Sequence, residues 1–119
     1  VTGQLTAADV AAQLAALSRQ LGELVDKLDT AEQDAVNARE DYTLAQAKAF
    51  LSAEGAMDVR KFTAIEKTHT QRLAAELAEA TVRGLRRQAD TVKVRIDVGR
   101  SVGVTLRSEL NMSGMDRTP

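Results

Sequence analysis

The chain has no cysteine, no tryptophan, one histidine and one proline in 119 residues. Without cysteine there are no disulfides, thiolate metal sites or cysteine nucleophiles. One histidine excludes His-rich metal sites and leaves little for histidine-based chemistry. No apolar run approaches the roughly 20 residues that a spanning helix needs, so no membrane partner is expected. The first residues lack a basic stretch followed by an apolar core. No secretory signal is read there, and the cytoplasm is the expected compartment.

Large side chains are also scarce. There are three aromatics, and alanine alone supplies 20 residues against 28 for Leu, Val, Ile and Phe together. Alanine, leucine, glutamate and arginine at these levels favour helix. A chain this short and this thin in large apolar groups buries little surface alone, so partner chains are expected, most simply further copies of itself. Charge is unevenly spread. Residues 1–60 hold five basic and ten acidic side chains, residues 61–119 eleven and seven, and residues 80–108 seven and two. Such polarity suits either pairing of opposite halves or a polyanion held by the basic part.

Thr6 with Asp9 three residues on reads as a weak capping box. From there apolar positions recur at Val10, Leu14, Leu17, Leu21, Leu24, Leu28, Ala31, Ala35, Ala38, Tyr42, Ala45 and Ala49. The steps alternate four and three over nearly six heptads, which implies a left-handed supercoil. The pattern predicts a helix over about 6–53, roughly 72 Å long. Its seam passes from leucine to alanine, and small residues let helices approach closely. Tyr42 reads as a packing residue or as a platform for a stacked base.

Gly55 is the strong breaker between the two helical patterns. A reversal over about 54–57 gives an antiparallel hairpin, with Asp58 placed to cap the second helix; the rival is a kink with the helix running on. The second helix is predicted over about 58–110, with residues 111–119 as a frayed tail closed near Asn111 or Gly114. Phe62, Ile65, His69, Leu73 and Leu77 form its first apolar face. A stutter through Thr81 then leads into Leu85, Ala89, Val92, Ile96, Gly99, Gly103, Leu106 and Leu110. Val94, Val98 and Val102 broaden the stripe. Residues 91–98 also alternate like a strand, though the four-three pattern crosses them unbroken and favours helix. Gly99 and Gly103 suggest close backbone approach, to a helix or to a ligand. The fold expected is all-α: one domain of two long helices in an antiparallel coiled-coil hairpin that oligomerises into a bundle. The expected oligomer core is Leu14, Leu17, Leu21, Leu24, Leu28, Val92, Ile96, Gly99, Gly103 and Leu106.

No catalytic constellation is legible. Carboxylates such as Asp26 and Asp29 lie on ordinary polar faces, and Ser101 has no His or Asp at motif spacing. No GxGxxG or P-loop occurs, so neither an enzyme nor a cofactor is expected. The sharpest polar feature is a flank of the second helix: Arg83, Arg86, Asp90, Lys93, Asp97, Arg100 and Arg107, with Arg87 and Arg95 nearby. Basic groups at this spacing track a phosphate backbone, and they also form plain intrahelical ion pairs with Asp90 and Asp97.

Two stretches, YTLAQAKAFLSAEGAMDVRKFTAIE at 42–66 and ADTVKVRIDVGRSVGVTLRSEL at 89–110, resemble the phage recombination mediator family typified by UvsY. The resemblance covers under half of the chain and rests on no short motif. It implies a mostly helical oligomer that helps load a recombinase onto single-stranded DNA covered by a single-strand binding protein, within the host bacterium. It also implies Lys61, Lys67 and Arg72 as contacts to the strand. The long leucine seam departs from that family. The alternative is a non-catalytic assembly scaffold or an inhibitor of a host protein.

Overall fold

The computed structural model describes residues 4–116. Three helices follow one another: α1 (Ala7–Ser52), α2 (Met57–Lys67) and α3 (His69–Asp116). The strand alternative at 91–98 is not adopted, because these residues lie inside α3. The chain divides into two compact units, Val1–Val25 with Arg87–Pro119, and Asp26–Arg86. In each of them α1 and α3 run antiparallel.

The expected capping box is present. The Thr6 amide donates to Asp9 Oδ2 at 3.0 Å, and the Asp9 amide donates to Thr6 Oγ1 at 3.1 Å. The Thr6 amide first, and then the Thr6 hydroxyl acting on the same carboxyl, hold Asp9 below its ordinary value of 3.8. At its far end α1 stops at Ser52, whose hydroxyl donates back to the Lys48 carbonyl at 2.8 Å. Gly55 then turns the chain at φ 108°, a conformation L side chains rarely adopt. The cap of α2 is Ala56, with extended backbone and no side-chain bond. Asp58 therefore does not cap. It sits in the first turn of α2, where its charge meets the positive end of the helix dipole.

The predicted single second helix is two helices. Thr68 leaves helical geometry at φ −109°, ψ 15°. It is 3% exposed, and its hydroxyl donates to the Ala64 carbonyl at 2.7 Å. Thr81, Thr91 and Thr105 make the same bond inside unbroken α3, so the hydroxyl accommodates the break without dictating it. α3 runs on through residues 111–116, past both expected end points at Asn111 and Gly114. Of the expected tail, 117–119 lie outside the described residues.

In the unit Val1–Val25 with Arg87–Pro119, α1 buries Val10 and Leu24 and half-buries Leu14, Leu17 and Leu21. Opposite, Ala89, Val92 and Ile96 are buried, and Gly99, Gly103 and Leu106 half-buried. Leu110 closes the expected pattern but is exposed. Gly99 serves a close approach: a Cβ there would meet Leu14 Cδ2 at 2.8 Å. The glycine thus accommodates a helix of the same chain.

The unit Asp26–Arg86 is built on small residues. Ala31, Ala35 and Val82 form its centre, with Leu28, Ala78 and Leu85 packed around them. Ala64, Thr68 and Ala75 are buried too, Ala75 completely. Here the expected face is overturned. Phe62 is 71% exposed and Leu77 59%, and Ile65, His69 and Leu73 also point to solvent. The real seam runs Ala64, Thr68, Gln71, Ala75, Ala78, Val82, Leu85 in unbroken four-three steps, so no stutter occurs at Thr81. The register of this seam, rather than side-chain size, decides which residues face α1, and Phe62 and Leu77 turn outward.

Candidate functional site

Two kinds of surface flank these helix pairs, one charged and one apolar. In the unit Asp26–Arg86, Arg86 Nη2 donates to Glu32 Oε1 at 2.8 Å. Arg39 donates through Nε and Nη2 to Glu79 Oε1, at 2.9 and 2.7 Å. All four side chains are well exposed, so each pair stabilises by no more than about 1 kcal/mol. They border an open groove of 710 Å³ whose floor includes Ala35, Val36 and Val82. Arg39 also lies over Tyr42, 5.6 Å from the ring centroid, and Tyr42 is half-buried in the seam.

Arg60 joins α2 to the end of α1, a role no sequence pattern announced. Its guanidinium lies 4.8 Å from the Phe50 centroid, and Nη2 donates to the Phe50 carbonyl at 3.3 Å. A cation here meets carbonyls that the last turn of α1 leaves without helical partners. Only its distance from Phe50, ten residues across a turn, hid this contact from the sequence.

The basic residues expected to bind nucleic acid lie on α2 and α3. Lys61 and Lys67 are exposed on α2. Arg72 is half-buried, with Nη2 3.1 Å from His69 Nδ1 and Nη1 3.9 Å from Glu76. Arg86 is held by Glu32, while neighbouring Arg83 has no carboxylate within 4 Å among the described residues. In the other unit Lys93 reaches Asp90 only at 3.9 Å. Arg87, Arg95, Arg100 and Arg107 are exposed there and make no ion pair among the described residues.

Folding also reduces the charge polarity seen along the chain. Pairing acidic α1 with basic α3 leaves seven basic and six acidic side chains in one unit, nine and eleven in the other. Neither unit is a concentrated cation, which weakens the pull on a polyanion.

The residues expected as an oligomer core are occupied within one chain. Leu14, Leu17, Leu21, Leu24, Val92, Ile96, Gly99, Gly103 and Leu106 are buried or half-buried in one unit, and Leu28 in the other. What remains for a second chain is the outer apolar surface. In the unit Asp26–Arg86 it includes Leu44, Leu51, Phe62, Ile65, Leu73 and Leu77. In the other unit Val94 and Val98 are 60% and 58% exposed, beside an open groove of 500 Å³.

Among the described residues no group of three His, Asp or Glu is placed to hold a metal ion. No described helix is long and apolar enough to cross a membrane. The chain matches no family model, no curated protein and no solved structure.

Proposed function

We propose that this chain is a non-catalytic scaffold: an antiparallel coiled-coil hairpin that associates with further copies of itself and so arranges a larger assembly. The observation that supports this reading is the outward placement of large apolar side chains in both units, Phe62 and Leu77 in one and Val94 and Val98 in the other. Single exposed apolar residues are ordinary, but rows of them along a helix mark contact surfaces. The inner seam is already closed within one chain, so association uses this outer surface.

The test is the mass in solution across a dilution series. A scaffold gives a species heavier than the 12.8 kDa chain that dissociates on dilution. A single-chain mass at every concentration removes the reading.

A second reading keeps the accessory role in phage recombination, with single-stranded DNA, a recombinase and a single-strand binding protein as partners. Exposed arginines on α3 with no carboxylate partner among the described residues, Arg95, Arg100 and Arg107 among them, favour it. A phosphate-directed surface retains single-stranded DNA at low salt and releases it as salt rises, with a slope set by the number of contacts. Replacing Arg95, Arg100 and Arg107 by glutamate then abolishes retention at unchanged mass. No retention by the wild type at low salt leaves the scaffold alone.

A further inference from the structure

Besides its buried seam, α3 carries an outward row of residues: Arg87, Thr91, Val94, Val98, Val102, Thr105 and Glu109. All lie in one unit, and all are exposed except half-buried Val102. The steps are four, three, four and again four, three, four. Two eleven-residue repeats of this kind keep one stripe along a nearly straight helix.

The row is also a palindrome about Val98. Valines stand four residues to either side and threonines seven. The ends, eleven residues away, carry opposite charges, Arg87 and Glu109. The threonines match in conformation as well as position. Thr91 Oγ1 donates to the Arg87 carbonyl at 3.0 Å, and Thr105 Oγ1 to the Ser101 carbonyl at 3.1 Å. With both hydroxyls satisfied locally, the threonine methyls are left for apolar contact. The three valines also form one wall of the 500 Å³ groove, with Leu14 and Leu17 of α1 on the other side.

We propose that a second copy of this chain docks on this row, α3 against α3, antiparallel, with a two-fold axis at Val98. The proposal rests on the self-association argued above and names its surface. A two-fold contact must be self-complementary, so that whatever residue i meets on the partner meets residue i in return. Here Val94 meets Val102 of the partner subunit, Thr91 meets Thr105 of the partner subunit, and Val98 meets its own copy. Arg87 meets Glu109 of the partner subunit, and Glu109 meets Arg87 of the partner subunit. A parallel pairing in register would set like charges together at both ends. Arg95, at the groove edge, falls opposite Ser101 of the partner subunit rather than another cation. The contact closes on itself and ends at a pair of chains.

Single cysteines test the geometry, because the chain has none of its own. A disulfide needs Cα atoms within about 7 Å. Under oxidation Val98→Cys is expected to link to itself. Val94→Cys alone does not link, since its two copies stand about 12 Å apart along the axis. A mixture of Val94→Cys and Val102→Cys links. Arg87→Glu weakens association several-fold at unchanged helix content, and adding Glu109→Arg restores it. Self-linking by Val94→Cys and by Val102→Cys means parallel pairing and overturns the proposal. An associating wild type whose Val98→Cys variant stays unlinked overturns it too, while leaving the scaffold reading in place. A wild type that never associates overturns both.

Discussion

Leu14 lies so close over Gly99 that a methyl group added at Gly99 would stand 2.8 Å from its Cδ2. Four residues on, a methyl at Gly103 would lie 3.5 Å from Val10 Cγ1, an ordinary contact. The two glycines therefore respond differently to alanine. Gly103→Ala gains helix propensity, about 1 kcal/mol, at no steric cost. Gly99→Ala gains the same propensity but must displace the far end of the half-buried Leu14 side chain, which offsets part of the gain. Thermal unfolding is expected to rank Gly103→Ala above both Gly99→Ala and the wild type. Equal gains in both variants would refute the close approach.

The turn offers a second measurement. Gly55 holds φ 108°, where an L side chain is strained although its Cβ would meet Val59 only at ordinary contact distance. Gly55→Ala is expected to lower stability by about 1–2 kcal/mol, read from denaturant midpoints at unchanged slope.

The small-residue seam makes a third prediction, and it inverts the one side-chain size suggests. Ala75 is fully buried while Leu77, two residues on, is 59% exposed. Ala75→Leu is expected to cost at least about 1–3 kcal/mol by overpacking. Leu77→Glu, measured at a dilution where the chain is dissociated, is expected to change the unfolding free energy by less than about 0.5 kcal/mol. The reverse order in chemical denaturation would restore the Phe62–Leu77 face to the core.

The fourth concerns pH. The Asp9 carboxyl is held below its ordinary value by Thr6, so the charged form favours the folded cap. That contribution is fully present above the unfolded-state value near 3.8 and fades as pH falls through the lower folded one. Amide exchange at residues 6–10 is expected to be slow and pH-insensitive in this respect near neutrality, then to accelerate on acidification beyond the intrinsic rate. Asp9→Asn removes the extra acceleration.

Much of the helix pairing was legible because its seam is written in leucine. Val10 to Leu28 and Leu85 to Leu106 repeat in four-three steps, and every one of these positions is buried or half-buried. The cap at Thr6 and the reversal at Gly55 followed from local chemistry. Residues 57–82 were misread because size outweighed register. Phe62, Ile65, Leu73 and Leu77 look like a core, yet Ala78, Val82 and Leu85 are the residues that pack with Ala31 and Ala35. The break at Thr68 carries no glycine or proline to announce it, and its threonine back-bond is shared by residues in unbroken helix. The basic flank was visible as spacing, but its partners were not. Glu32 beside Arg86 and Glu79 beside Arg39 are long-range pairs that exist only after the chain turns back.

α3 keeps two rhythms on one backbone, sevens toward α1 and elevens on its outer side. Losing or gaining one residue between Val94 and Val102 would rotate everything beyond it by about 100°. Both rows would then fall out of line together. That stretch behaves as a ruler of fixed length, open to exchange of letters but closed to insertion, whereas the few residues around Gly55 are where the chain has room to grow.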